Sequence, residues 1–385
     1  MVDPFQEIQQ LLTCTDGASR GAVLRQLHEI IVSAETPEET ATRIALYPLQ
    51  TSAIRVGHDL KIFEILNDGP KSLGELVKLI RAHPITLGRL LKYMASVGII
   101  HESSASLYES NKKSRNLATS EAVTIMTHFF ENCSPLFQEM PAFLRRTSYQ
   151  DVTDAKDTVF QPAYKTDLDT YSWFSQNLAH KVALIKYMGL EENTRGRWLD
   201  EYPFELVNQG WDPKSPVFVD IGGNVGHYCA KFKERFPSVP GHVILQDLPS
   251  TLAHALQTPG VEALPHDFFE PQPIKGAKFY HLGGVLHNWN DEKSMQILRQ
   301  IKPAMAPDSV LLINDMVLPE TGVPPFSASL DLVMLGACAG RERTLADWKN
   351  LFCHVGLAIV DCNLYDRKSC HGLISVGLAQ QVSRR

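Results

Sequence analysis

A chain of 385 residues is longer than one ordinary hydrophobic core serves, since single cores stop growing at about 250–300 residues. Its 44% apolar and 21% charged residues are those of a globular protein, and a net charge of −6 gives no electrostatic reason to seek nucleic acid, which rewards concentrated positive charge. The seven cysteines, at 14, 133, 229, 338, 353, 362 and 370, form no CxxC pair and no zinc-spaced cluster, so they read as reduced, buried thiols, and no metal is expected. The opening stretch MVDPFQEIQQLLTC carries acids where a secretory signal has a basic start, and no apolar run reaches the ~18–20 residues of a membrane span. The expectation is a cytoplasmic protein of two or more domains whose partner is a small molecule, with no nucleic acid and no membrane.

Helices come first along the chain. Apolar residues recur at helical spacing from Gly17 to Ala34, and a second helical block runs from Leu46 to Leu66, ending at the breaker Asn67-Asp68-Gly69-Pro70. Ser72 then caps SLGELVKLI, and PITLGRLLKYMASVGII forms the next helix. HESSASLYES supplies two short β-prone stretches around a polar turn, so residues 1–115 read as an all-α winged-helix-like domain with a small wing. A winged helix invites a DNA-binding reading. Only Arg81, Arg89 and Lys92 are basic there, too few for a phosphate footprint, and packing or dimerisation is the expected role. Residues 116–210 read as a helical linker and pocket region, with helices over Phe129–Leu144 and Tyr164–Phe174.

From Gly210-Trp211-Asp212-Pro213 the pattern changes to compact β-branched runs, VFVDIGG, HVILQDLP, KFYHLGGVLH and VLLINDMVL, separated by helix-length segments. That alternation predicts a Rossmann-like, doubly wound α/β sheet over residues 211–385, whose ligands bind beyond the carboxyl ends of the strands. The first run ends in Asp220-Ile221-Gly222-Gly223-Asn224-Val225-Gly226 ahead of a helix, a loop that lets backbone approach a ligand closely. A dinucleotide would suit such a loop, and Asp247 at the end of HVILQDLP could accept the ribose hydroxyls of NAD or of any adenosine. Asp220 separates the two: a carboxylate just before the glycines repels a pyrophosphate and welcomes an ammonium, so S-adenosylmethionine (SAM) is the expected cofactor. Asp267, in PHDFF, follows the third strand near the expected adenine edge. His287 ends the KFYHLGGVLH stretch, after an apolar strand and where substrates bind, and imidazole is the side chain best suited to take a phenolic proton near neutral pH. Asp315, ending the VLLIND strand, and Glu342, in GRERT, are acids that could hold its tautomer.

The order of FLRRTSYQDVTDA, YKTDLDTYSWF, GRWLDEYPFE, VDIGGNVGH, HVILQDLP, HDFFEPQPIKGAKFY, VLHNWNDEKS, LLIND and RERTLADW resembles the SAM-dependent O-methyltransferases of fungal secondary metabolism over nearly the whole chain. The resemblance implies a homodimer formed through the helical N-terminal domain, and SAM held by Asp220, Gly222, Gly223, Asn224, Asp247, Leu248, Asp267 and Phe268. It implies His287 as base with Asp315 and Glu342 in support, acting on a small aromatic, polyketide or pyridone hydroxyl. Three positions depart from the family pattern: Asn224 replaces a third glycine, His287-Asn288-Trp289 replaces HDW, and Asp315 replaces a glutamate. Asn tolerates left-handed backbone, and Asp315 is one methylene short.

The same family includes SAM-dependent pericyclases, in which the cofactor is a bound cation and is not consumed. In that alternative His128, in MTHFFENC, contacts the substrate. Phe129, Trp173, Met188 and Met334 are the candidate pocket walls in either case. A third reading, a non-catalytic or DNA-binding regulator, rests on the winged helix alone.

Overall fold

The structure is a computed structural model that describes residues 17–204 and 211–382; Cys14 and Gly210 lie outside them. The chain divides into two compact units, Met1–Phe130 and Glu131–Arg385.

In the first unit, helices are started by side-chain caps that the sequence carries locally. Thr36 with Glu39 and Ser72 with Glu75 form reciprocal capping boxes, opening the helices Pro37–Ala45 and Leu73–Ile80. Strands β1 (Lys71–Ser72), β2 (His101–Ser104) and β3 (Leu107–Glu109) form the antiparallel wing, in the order β1-β3-β2. The helical block Leu46–Leu66 consists of two helices, Tyr47–Asp59 and Ile62–Asn67. Lys61 between them is left-handed (φ 53°), which turns the chain back so that the Phe63 ring packs where a side chain on Gly57 would stand. Ile62, Phe63, Leu76, Leu91, Met94 and Tyr108 form the core beneath.

The second unit is built on a mixed sheet. Its strands are β4 (Pro216–Ile221), β5 (His242–Asp247), β6 (Val261–Pro265), β7 (Phe279–Gly283), β8 (Val310–Leu318), β9 (Arg343–Thr344), β10 (Leu357–Asp366) and β11 (His371–Leu378), in the order β10-β11-β8-β7-β4-β5-β6, with β9 beside β8. β4 to β8 run parallel, as expected. The antiparallel β10–β11 hairpin was not expected; its connection, 367–370, is too short for the crossover a parallel pair needs. Both faces are covered. Along β8, Leu311 and Ile313 enter one core with Trp348 and Phe352, while Leu312 enters the other with Trp198 and Phe232. The chain leaves β4 toward β5 and β6, then returns to β7 on its other side, so the reversal of strand order falls between β4 and β7, where such sheets bind ligands.

The helices at the start of this unit belong to its core, so the 116–210 region of the sequence reading is divided at Phe130. Leu136, Phe143, Val159 and Phe160 pack with Ala337 and Cys338 at the end of the helix Pro325–Cys338. The expected helix over Tyr164–Phe174 is instead two short ones, Phe160–Tyr164 and Thr170–Gln176, separated by left-handed Lys165. Cys353 is exposed rather than buried, because its helix turns Trp348, Leu351 and Phe352 inward; Cys133, Cys229, Cys338 and Cys370 are buried. Among the described residues no helix is long and apolar enough to cross a membrane.

Candidate active site

The glycine loop is shaped from below. Gly222 has φ 68°, Asn224 φ 56° and Gly226 φ 93°, so Asn224 takes the left-handed conformation that lets it stand in a glycine's place. A Cβ at Gly222 would come within 3.2 Å of Val285 and 3.3 Å of the Phe268 ring, so a side chain there would press on both. The N–H groups of Gly222 and Gly223 donate to the Gln246 carbonyl at 2.8 and 3.1 Å, and that of Asn224 donates to Asp247 Oδ2 at 2.9 Å. These three amides are already engaged by protein acceptors and are withheld from a pyrophosphate.

Asp220 is fully buried, its Oδ1 accepting a hydrogen bond from His281 Nδ1 at 2.7 Å, with the Cys229 thiol 3.7 Å from Oδ2. Its carboxyl carbon lies 2.6 Å from where a Cβ on Gly223 would stand, so the loop rests directly on it. This is a support beneath the loop, a different position from the ligand-facing one implied by sequence. Asp247, the last residue of β5, is half-buried. Burial pushes its carboxyl above the ordinary carboxylate range, against the opposing N–H donors of Leu248 and Asn224. Leu248 and Asp267 are exposed, Asp267 accepts the Phe269 N–H at 2.9 Å, and half-buried Phe268 packs edge-on against Phe269.

The second cluster is assembled by β8, β9 and a short turn. β8 continues through Asp315 to Leu318, past the end expected at Asp315, because β11 and β9 pair with its last residues. The Val317–Arg343 register brings Asp315 near Glu342. His287 sits in the 3₁₀ turn Leu286–Asn288 after β7. Its Nδ1 is 2.8 Å from Glu342 Oε1 and 3.7 Å from Asp315 Oδ1; the imidazole is 15% exposed, while the two acids are 1% and 2%. Glu342 thus makes the hydrogen bond, and the shorter Asp315 contributes field from just beyond bonding distance. These three side chains offer ligand atoms within 4.8 Å of one another, and the His287–Glu342 hydrogen bond with Asp315 beside it is the spacing of an imidazole held by acids.

Arg343, which sequence reasoning missed, locks this turn. Fully buried, it donates from Nη1 to the Leu286 carbonyl (2.9 Å), from Nη2 to the Trp289 carbonyl (2.8 Å) and from Nε to Asp291 (2.9 Å), with its guanidinium over the Trp348 ring. The Arg341 N–H donates to the His287 carbonyl at 2.9 Å, and a Cβ on Gly340 would press on Asn288, 2.8 Å from its carbonyl carbon. Asn288 Nδ2 donates to the Gly284 carbonyl at 3.0 Å, a bond the family's usual Asp could not donate when ionised. Asp331, also missed, accepts the Glu342 N–H at 2.8 Å, and burial raises its carboxyl above the ordinary range.

Of the candidate walls, Trp173 lies among Phe160, Tyr164 and His180, with ring centroids 4.4 Å from Tyr164 and 4.9 Å from His180. Met334 is half-buried on the helix Pro325–Cys338, which packs beside the His287 turn, and Met188 is half-buried on Leu178–Arg195. His128 and Phe129 belong to the first unit, where His128 is buried and edge-on to Phe129 at 5.3 Å.

Comparison with known proteins agrees with this fold. Residues 213–358 match an O-methyltransferase domain and residues 43–120 an O-methyltransferase dimerisation domain. Over 375 residues the chain is 39% identical to demethylsterigmatocystin 6-O-methyltransferase of Aspergillus parasiticus, covering 97% of each. Solved structures described as a pericyclic reaction enzyme and as LepI in complex with SAM each superpose with a TM-score of 0.85 at 34% identity, covering 97% of this chain and 98% of theirs. With both domains in order and that identity sustained along nearly its full length, the chain belongs to the SAM-dependent O-methyltransferases of fungal secondary metabolism.

Proposed function

We propose that this enzyme methylates a hydroxyl of a small aromatic, polyketide or pyridone substrate, with His287 as general base. The observation that carries the reading is the hydrogen bond from His287 Nδ1 to Glu342 Oε1 at 2.8 Å on a partly exposed ring. In this reading Nε2 takes the hydroxyl proton, while buried Glu342 and Asp315 stabilise the imidazolium that results. SAM, when bound, supplies an electrophilic methyl on a sulfonium. In this reading the glycine turn and the carboxyl of Asp247 would hold its methionine and ribose parts, with Leu248, Asp267 and Phe268 at the adenine end. Trp173, Met188 and Met334 are the proposed apolar walls.

Self-association through the first unit is part of the proposal. Leu24, Ile30, Ile31, Ile44 and Leu49 of its first helices are exposed, and Ile44 and Leu49 lie in the segment matching a dimerisation domain. Light scattering after gel filtration should give twice the chain mass.

A second reading, pericyclic chemistry with the cofactor bound and unchanged, draws on the likeness to the pericyclic reaction enzyme. In it His287 Nε2 donates a hydrogen bond to a substrate oxygen and removes no proton. Incubation with methyl-labelled SAM and candidate hydroxyl substrates separates the two: label in product with S-adenosylhomocysteine (SAH) released supports methyl transfer, and turnover that leaves SAM intact overturns it.

A further inference from the structure

We propose that His281 is a positioning residue for the cofactor: it holds the Asp220 carboxylate against the underside of the glycine loop and thereby sets SAM affinity without touching SAM. The inference rests on the cofactor reading above.

The sequence places His281 in the middle of an apolar strand, where an imidazole is out of character. Register explains its position. β4 and β7 pair in parallel with Asp220 opposite His281, so both side chains project from the same face of the sheet. Nδ1 lies 2.7 Å from Asp220 Oδ1, and both side chains are fully buried. The surrounding chain makes room for each partner. A Cβ on Gly283 would stand 2.7 Å from both His281 Cε1 and Tyr228 Cε2, and a Cβ on Gly223 would collide with the Asp220 carboxyl. Trp198 stacks on the imidazole at 4.6 Å and 15°, Phe218 lies along it at 5.4 Å, and Tyr228 meets it edge-on at 5.0 Å. Within this aromatic chamber Nε2 is buried without a hydrogen-bond partner, so the ring's hydrogen bonding is directed to Asp220 alone. The geometry assigns the proton to Nδ1, donating to the carboxylate.

A histidine suits this position better than a lysine or arginine. A single N–H orients a buried carboxylate and relieves its desolvation, and an imidazole carrying only that proton leaves the negative charge in place beneath a loop that must receive an ammonium. The Asp220 carboxyl supports Gly223, and the next residue, Asn224, donates to Asp247. A shift at His281 therefore passes through Asp220 into the loop and on to the acid at the tip of β5.

Calorimetric titration of the full-length protein with SAH tests this, alongside thermal melts. H281F keeps the aromatic stack and removes the donor; SAH affinity should weaken by about ten- to a hundredfold, the worth of one charge-assisted hydrogen bond. H281N places an amide donor near the position of Nδ1 and should restore affinity to within about threefold of wild type, whereas H281Q places it near Nε2 and should not. If H281F does not fold, the contrast between Asn and Gln decides. Equal SAH affinity in wild type and folded H281F, or in H281N and H281Q, overturns the inference. Failure of the wild type itself to bind SAH overturns the cofactor reading and this inference with it.

Discussion

His281 and His287, on one strand and the turn that follows it, are each bound through Nδ1 to a carboxylate, at 2.7 Å from Asp220 and 2.8 Å from Glu342. The first pair is sealed at 0% exposure on both sides; the second leaves its imidazole 15% exposed. The pairing chemistry is almost the same, and access divides the roles. Stacked between aromatic rings, His281 has its remaining nitrogen closed off and can only hold its partner in place. His287 stands on a 3₁₀ turn at the carboxyl end of the sheet, and its ring is partly exposed where such sheets bind ligands.

That contrast can be broken most severely at His287. Replacing it with alanine should lower turnover about 10²–10⁴-fold, the usual contribution of a positioned base, with kcat falling and the SAM affinity held. Glu342→Gln comes next: it keeps a side chain of similar size near Nδ1 but removes the anion that stabilises the imidazolium, and single-turnover rates should fall about 10²-fold. Asp315→Asn, beyond bonding distance at 3.7 Å, should cost less than about tenfold; an equal or larger effect would place the dominant acid at Asp315.

Arg343→Met acts on the turn rather than on the chemistry. It strips donors from two backbone carbonyls, of Leu286 and Trp289, and should lower unfolding free energy by about 1–3 kcal/mol in denaturant titration, together with kcat. Arg343→Lys should not restore the loss, because one ammonium lacks the planar fork that reaches both carbonyls. The smallest change is Asn288→Asp, which gives up one neutral hydrogen bond to the Gly284 carbonyl and should shift stability by about 1 kcal/mol.

What the sequence made legible lay at strand ends. Asp220, Asp247 and His287 each follow a compact β-branched run, and strand ends are where a parallel sheet binds ligands, so position along the chain was enough to single them out. What stayed hidden depends on register and packing. Nothing in KFYHLGG says that His281 lies opposite Asp220, and nothing in GRERT says that the second arginine is buried under the turn that carries His287. Asp220 stands just before the glycines as the sequence places it, but its burial was not legible, because it depends on His281 from another strand and on Trp198, from a distant segment, stacked on that ring. The break at Lys61 and the β10–β11 hairpin were missed for a similar reason: the apolar pattern runs through Lys61 without interruption, and pairing direction is set by a connection that periodicity does not report.

The division of labour between the two histidines is tested most directly by SAH titration of His287→Ala and His281→Phe side by side. The account predicts that the alanine variant binds SAH within about twofold of wild type while the phenylalanine variant, still folded, binds about tenfold or more weakly. Weakened binding in the alanine variant with unchanged binding in the phenylalanine variant would contradict it.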